Sequence, residues 1–294
     1  MTAAEILIDK DVTLDGEGNL TVDGKDDHLV FAVNEGVIAE LTGFTVTRGR
    51  TEFRGGCISN DGTLTLTNST VTRCTAAENP DPERSNSGGG IANAGSLMLM
   101  NSTVSENSAV FWGGGIANSG TLTLTNSTVS NNTVPEHVGF GSHVGGGISN
   151  NGGTLTLTNS TISGNTAQEY TAVQNINEGT LTVAGSVIDG TCGSETVVMS
   201  IGYNIESPGD TCGFDQTGDQ PGVTAEQLNL GPLAENGGPT ETHALLPGSV
   251  AIDQIPVVDC VDADGEPLTT DQRGLPRPQG GACDVGAFEL EVAP

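Results

Sequence analysis

The chain has few aromatic residues, few basic residues and no long apolar run, and each shortage excludes a class of protein. Aromatic side chains make up 3% of the 294 residues, so an interior has to be built from Ile, Leu, Val and Ala. Nine basic residues stand against 37 acidic ones, and the net charge of -28 repels phosphate backbones and anionic lipid headgroups. No stretch of about 18 apolar residues is present. We therefore expect neither nucleic-acid binding nor membrane insertion.

Glycine, in contrast, is abundant, with 43 residues, and much of it belongs to a sequence repeat. Four segments are close copies of one another, and one of them reads GGGIANSGTLTLTNSTVSNNTV. The copies begin at Gly55, Gly88, Gly113 and Gly145. A unit of about 25 residues, twice lengthened before the glycine triplet, accounts for the spacing. A period of this length is typical of solenoid proteins.

Each repeat unit has the pattern of three short strands. Thr-Leu-Thr-Leu-Thr alternates with period two, which indicates a strand with one buried face, and two shorter stretches carry a central Ile or Val. Gly, Asn and Ser close each stretch, and these residues favour turns. The apolar spacing of helices is absent, as is the longer Leu pattern of a leucine-rich repeat. Stacked coils that share one interior, a parallel β-helix, satisfy this pattern.

The β-helix interpretation makes a specific packing prediction, because equivalent residues of successive coils must lie above one another. One interior column is expected to contain Leu66, Leu99, Leu124 and Leu157. We expect three regions: an N-terminal capping coil at 1–33 that blocks end-to-end association, the repeats at 34–205, and an irregular C-terminal region at 206–294.

The repeat resembles that of right-handed parallel β-helix proteins of bacterial surfaces, including polymorphic outer-membrane-protein and autotransporter-passenger types. The C-terminal region resembles the choice-of-anchor Q region. This second resemblance is carried by Gly231–Thr240, Thr242–Ser249, Asp271–Gly274 and Cys283–Glu289. Together the resemblances imply an all-β protein, a right-handed parallel β-helix with an irregular, disulfide-tied C-terminal region, that resides outside the cell or on its surface. The first residues lack the features of a signal peptide, so an exported protein would have had its signal removed.

Six cysteines, an even number, have spacings that suggest local pairs. The predicted pairs are Cys57 with Cys74, Cys192 with Cys212, and Cys260 with Cys283. We expect the first bridge to join one coil to the next. Disulfides would fit an oxidising compartment, and the alternative is that these are buried free thiols.

The four repeats share an Asn-Ser-Thr sequence, which is formally a glycosylation site. The asparagines are Asn68, Asn101, Asn126 and Asn159. A structural role is the favoured interpretation, in which stacked Asn side chains bond to one another and to the backbone from coil to coil.

The connections that precede the glycine triplets should lie along one edge of the helix and carry a ligand site. Six aromatic or histidine residues fall on these connections: Phe111, Trp112, His137, Phe140, His143 and Tyr170. Aromatic side chains on loops of a rigid scaffold commonly hold sugars or a protein partner. We therefore predict a surface glycan or an extracellular matrix or other protein as ligand. The alternative is that Phe111 and Trp112 only cover the end of the local core.

Signals for metal binding and catalysis are weak in this sequence. Asp262, Asp264 and Glu266 place three carboxylates around one turn, which is either a calcium site or a hydrated acidic loop. No other cofactor is expected. Asp26, Asp27 and His28 form a short cluster in the N-terminal coil, where a solvated turn is favoured over a catalytic site.

The sequence thus predicts a non-catalytic, secreted or cell-surface module with a structural and adhesive role. A carbohydrate-active enzyme is the first alternative, because many β-helices cleave polysaccharides. Ice binding is a minor alternative based on the outward threonines, and Met98 and Met100 interrupt that array.

Overall fold

The repeats form coils of short parallel strands in the computed structural model, which describes residues 4–78, 87–136 and 144–291. Each coil runs along three faces, with a separate strand on each face from the third coil onward, and equivalent strands of successive coils pair in parallel. We name the faces the Ile face, the Leu face and the Val face, after their buried residues.

The Ile face is a sheet of short strands. Its strands are Ile6–Ile8, Phe31–Val33, Ile58–Asn60, Ile91–Asn93, Ile116–Asn118, Ile148–Asn151, Val173–Ile176 and Cys192–Ser194. A narrow strip at the edge that follows the Val face consists of Arg50–Thr51, Thr75–Ala76 and Ser108–Ala109.

The Leu and Val faces are joined by two long strands, Val12–Asp23 and Ile38–Thr47, which run across both. The other Leu-face strands are Thr63–Thr67, Ser96–Met100, Thr121–Thr125, Thr154–Thr158, Thr180–Ala184 and Met199–Gly202. The other Val-face strands are Thr70–Thr72, Thr103–Ser105, Thr128–Ser130, Thr161–Ser163, Val187–Asp189 and Ile205–Ser207.

The predicted leucine column is confirmed. Leu66 pairs with Leu99, Leu99 with Leu124, and Leu124 with Leu157, each in adjacent parallel strands. All four side chains are at most 1% exposed, so the alternating pattern of each unit directs its leucines into a shared interior. Burying one such side chain contributes about 1.5–3 kcal/mol, which the repeat multiplies along the axis.

The prediction for the Asn-Ser-Thr asparagines is wrong in its detail. They adopt left-handed backbone at the bend between the Leu and Val faces, with φ between 44° and 51°. Their amides do not form the ladder, because the sharp bend there points them away from the interior; Asn126 and Asn159 instead donate to carbonyls of the C-terminal region.

Amide ladders run through other columns. One consists of Asn60, Asn93, Asn118, Asn150 and Asn175, whose Nδ2 atoms donate to the next Oδ1 at 2.6–2.7 Å. A second consists of Asn107, Asn132 and Asn165, linked at 2.9 Å. These side chains are buried at the turns, where each amide also satisfies backbone carbonyls.

The glycine triplets allow successive coils to approach closely before the Ile face. Gly113 has φ of 62°, a left-handed conformation that side chains disfavour. A Cβ on Gly114 would collide with the carbonyl oxygen of Gly146 in the next coil. The triplet is therefore required by backbone conformation and by coil spacing.

Three disulfides form with the predicted pairs, Cys57 with Cys74, Cys192 with Cys212, and Cys260 with Cys283, and no free cysteine remains. The expectation that the first bridge joins two coils is wrong. Cys57 lies beside Gly90, and Cys74 beside Asn107, and these two neighbours belong to a single coil. The bridge therefore closes one coil across its interior, where the next coil has a glycine facing an asparagine amide.

The N-terminal segment forms the first coil of the helix. Ile6–Ile8 pairs with Phe31–Val33, and Val12–Asp23 pairs with Ile38–Thr47, in the parallel register of the repeats. Its predicted role in limiting association stays a prediction.

The C-terminal region packs on the Val face. It contains a short helix, Ala225–Leu228, an antiparallel pair, Leu230–Ala234 with Thr242–Leu245, and a 3-10 turn at Val257–Asp259. Its own core is built around Leu228, Leu245, Ile255, Val285 and Phe288.

Hydrogen bonds join the C-terminal region to several coils at once. Gln272 accepts from the Thr128 hydroxyl at 2.6 Å and donates to the Thr103 hydroxyl at 2.8 Å. His243 Nε2 lies 2.8 Å from the Ser130 hydroxyl, and burial lowers the pKa of this imidazole. The segment therefore binds across neighbouring coils of one face.

Beneath this interface lies a buried network of charges. Arg277 pairs with Glu289 at 2.9 Å, and Arg273 pairs with Asp271 at 2.8 Å, with all four side chains at most 3% exposed. The Arg273 guanidinium also lies 3.8 Å from the centre of the Phe288 ring. In the described part of the chain, no helix is long and apolar enough to cross a membrane.

Candidate functional site

A groove runs along the outside of the Ile face. In strands of this face the middle residue points outward, and four successive coils place small residues there: Ser59, Ala92, Ala117 and Ser149. Side chains at both ends of the strands rise beside this floor. The groove exists because Ile and Asn must point inward, which leaves only the intervening small residue on the outside.

The two walls of the groove differ in chemistry. Trp112 and Arg54, which precede the strands, form one wall. Asp61 and Ser119, which follow their strands, and Asn151, the last residue of its strand, contribute to the other. The groove therefore has an indole on one side and hydrogen-bonding groups on the other.

The loop edge brings some of the predicted site residues together. Ser87, Trp112, Val144 and Glu169 are linked by successive parallel bridges, so equivalent points of these connections stack. Phe111 and Trp112 have ring centres 6.0 Å apart, and both side chains are half-buried. Of the other predicted residues, His137, Phe140 and His143 lie outside the described residues.

Tyr170 lies on the same edge, two coils beyond Trp112, and packs on the sheet. It occupies the position of the first glycine of the triplets, with φ of 54°. Its ring covers Gly193, where a Cβ would collide with the ring. Tyr170 thus covers the far end of the Ile face, whereas Trp112 borders the open groove.

A second pocket continues the groove toward the N-terminus. It shares Arg54 and Ser59 with the groove and is lined by charged residues of both signs. The charged residues that line it are Glu5, Asp26, Asp27, Arg50, Glu52 and Arg54. Nearby, an ion pair with Arg48 lowers the pKa of Asp23. The small residue between Ile and Asn in each unit indicates this groove in the sequence, but no groove was predicted from it.

The predicted acidic turn is organised by its own hydrogen bonds. An oxygen of the Asp262 carboxylate accepts from the backbone N–H groups of Asp264 and Glu266, both at 2.9 Å. Within the residues that the structure describes, no group of three or more His, Cys, Asp or Glu side chains is placed to hold a metal ion. The three carboxylates are therefore not brought together as ligands.

The outward threonines of the Leu face form columns with an interruption. Thr65, Met98 and Thr123 are neighbours in one column, and Thr67, Met100 and Thr125 in the next. Met98 and Met100 are 40% and 38% exposed, so two apolar side chains break the hydroxyl array.

The comparisons with known proteins agree with this architecture. A family model described as a right handed beta helix region matches residues 18–195, which is more than half of the chain. The searches of curated proteins and of solved structures find no match. The family match ends before the C-terminal region, whose resemblance to choice-of-anchor Q sequences stays an expectation. With its stacked coils, interior columns and family match, the chain belongs to the right-handed β-helix family.

Proposed function

We propose that this protein is a non-catalytic structural module, secreted or displayed at the cell surface, that binds an extended ligand in the groove of the Ile face. The β-helix supplies a rigid scaffold, since each coil is held by ladders of buried leucines and asparagines. The observation that carries the proposal is the continuous floor of small residues beside Trp112.

The chemistry of the groove favours a neutral glycan as the ligand. The indole of Trp112 provides an apolar face for a sugar ring, and Asp61, Ser119 and Asn151 offer hydrogen-bonding partners for hydroxyl groups. The net charge of -28 disfavours an acidic polysaccharide. A protein strand of an extracellular matrix is the other predicted ligand.

The three disulfides support a location outside the cell, because such bonds persist in oxidising compartments. Calcium stays a proposal as a cofactor, and binding should therefore be measured with and without it.

A glycan array identifies a ligand for the wild type. Two variants that change the groove in different ways then test whether the ligand binds there. Trp112→Ala removes the aromatic wall, and Ala117→Gln fills the floor. Glutamine is compatible with this column, because Gln174 holds the equivalent position two coils away. We expect both variants to lose most of the glycan binding of the wild type, as measured by surface plasmon resonance.

Met98→Ala is the matched control, because Met98 is a large exposed residue on the Leu face of a neighbouring coil. It should leave binding unchanged. If Ala117→Gln and Trp112→Ala keep their circular dichroism and bind like the wild type, the groove is not the ligand site.

A carbohydrate-active enzyme is the second candidate, and one observation favours it. The pocket beside the groove combines Asp26 and Asp27 with Arg50 and Arg54, which are residue types that β-helix enzymes could use for cleavage. Incubation with neutral and acidic polysaccharides, with and without calcium, tests it. Cleavage that is lost in Asp27→Asn would favour the enzyme over the binding module.

A further inference from the structure

The N-terminal end of the helix presents two unpaired strand edges. Ile6–Ile8 is the terminal strand of the Ile face, and Val12–Asp23 is the outermost strand of the Leu and Val faces. Each is paired on one side, and no further strand of the described chain lies on the other. Free N–H and C=O groups of an edge strand are a template for another extended chain.

The interior also opens at this end. Val12 and Leu14 point toward the interior and are half-buried, whereas their partners in the next coil, Ala39 and Leu41, are 0% exposed. Leu20, opposite the buried Phe44, is 50% exposed. The first coil therefore leaves apolar area uncovered beside the strand edge.

The opposite end of the helix is closed by contrast. Phe214 joins the interior core, and Cys212 is tied to the last Ile-face strand through Cys192. Glu206 pairs with the interior residue Ile188 of the adjacent strand and is 0% exposed. Its carboxylate accepts a hydrogen bond from the backbone N–H of Cys212 at 2.9 Å. Among the described residues, the last coil is therefore covered, whereas the first coil leaves part of its interior exposed.

Charge identifies the kind of chain that fits the open end. The strands and their flanks carry exposed carboxylates, and Lys10 is the one basic residue between Glu5 and Asp23. The acidic residues in this stretch are Glu5, Asp9, Asp11, Asp15, Glu17 and Asp23, and of these Asp23 is already paired with Arg48. Two copies of this edge would repel each other, and an acidic partner would be excluded.

We propose that the N-terminal coil binds an extended, lysine- or arginine-bearing segment of a partner protein as an added strand along Val12–Asp15. Main-chain hydrogen bonds supply the pairing, apolar side chains of the segment cover Val12 and Leu14, and basic side chains face the carboxylates. The irregular register between Asp15 and Leu20 limits pairing to a short segment. This site is separate from the groove of the Ile face, so it does not depend on the proposed function.

Peptide binding tests the proposal on the full chain. The probe is a soluble eight-residue peptide with valine at alternate positions and threonine or lysine between them, three lysines in all. The control peptide has glutamate in place of each lysine. We expect the lysine peptide to bind at least roughly tenfold more tightly at low salt and to weaken as salt is raised. Hydrogen exchange should slow at amides of 12–15 when the lysine peptide is bound.

Two matched leucine variants locate the contact. Leu14→Lys places a charge on the open interior, and it should weaken peptide binding at least roughly tenfold. Leu7→Lys places the same charge on the outward side of the first coil, where Leu7 is 54% exposed, and should bind the peptide like the wild type. If Leu14→Lys does not fold, Val12→Lys, on the interior side of the same segment, serves in its place.

Several results would overturn the proposal. One is equal affinity for the lysine and the glutamate peptide. Another is slowed hydrogen exchange outside residues 12–15 when the lysine peptide is bound, and a third is wild-type affinity of a folded Leu14→Lys variant. A dimer in light scattering whose formation competes with the peptide would assign the edge to a second copy instead.

Discussion

The repeats and the C-terminal region are stabilised in different ways. In the repeats the same residue recurs in each coil, as in the column through Leu99 or the amide ladder through Asn132. In the C-terminal region each buried contact occurs once, as in the Arg277 pair with Glu289. Repetition spreads stability over many equivalent contacts, whereas the C-terminal region depends on individual ones.

The repeats and the C-terminal region also differ in the charged groups that they bury. The interior of the repeats is apolar with neutral amides at its turns, while the C-terminal region buries two arginines with their carboxylates. A buried ion pair gains little over apolar packing, but it is costly to break. The C-terminal region should therefore be the part most sensitive to a single substitution.

The largest effect is expected from Arg277→Leu. The substitution leaves the Glu289 carboxylate buried without its cation, which should cost about 3–5 kcal/mol. Urea unfolding followed by hydrogen exchange should show the loss in 224–291. Arg73→Leu, which removes an exposed pair with Glu106, is the control and should have little effect. Similar losses in both variants would contradict the contrast between the two pairs.

A somewhat smaller effect is expected in the repeats from Leu99→Ala. The cavity should lower the free energy of unfolding by about 2–5 kcal/mol, because Leu99 is fully buried. Met98→Ala, one residue away on the exposed side, should change it little. Thermal unfolding by circular dichroism measures both, and equal effects would mean that the side chains are not arranged as described.

The amide ladder provides an intermediate case. Asn132→Ala removes the acceptor of the Asn107 backbone N–H and the donor to the Val104 carbonyl, which should cost about 1–3 kcal/mol. Asn101→Gly should be nearly neutral, because Asn101 lies at a left-handed position that Gly43 and Gly185 also hold. Chemical denaturation compares them, and a larger loss at Asn101 would contradict this assignment of the ladder.

The smallest effect is a pH dependence confined to the C-terminal region. Burial raises the pKa of Asp284 to about 6 from an ordinary value of 3.8, so the folded state binds this proton more tightly than the unfolded state. Stability from this group is therefore present at low pH and lost as pH rises from about 4 to about 6. In Asp284→Asn this contribution should vanish, and the difference in unfolding free energy between wild type and variant should change across that window. A constant difference would show that Asp284 does not titrate there.

Much of the repeat could be predicted from the sequence because local pattern and fold coincide. The alternation around Leu124 fixes which side chains point inward, and the period places Leu124 beside Leu99. The disulfide pairs followed from short spacings. The ladder was assigned to Asn126 in place of Asn132, because the repeat contains several asparagines and only the chain path shows which of them turn inward.

The groove was not predicted, although its floor has a sequence pattern, the small residue between Ile and Asn of each unit. Its walls, Trp112 and Asn151, come from different coils and from opposite ends of their strands, so only the stacked structure shows that they border one groove. Trp112 was predicted as a site residue from its position on the loop edge, and ligand binding there stays a prediction.

The sequence by itself determined a stacked all-β solenoid, since a period-two pattern repeated about every 25 residues can bury its leucines only against copies of itself. Tertiary structure alone decided which face the C-terminal region covers, that Gln272 reaches both Thr103 and Thr128, and that one end of the helix is closed while the other is open. These contacts join residues that are distant in the chain and occur once, so no local pattern encodes them.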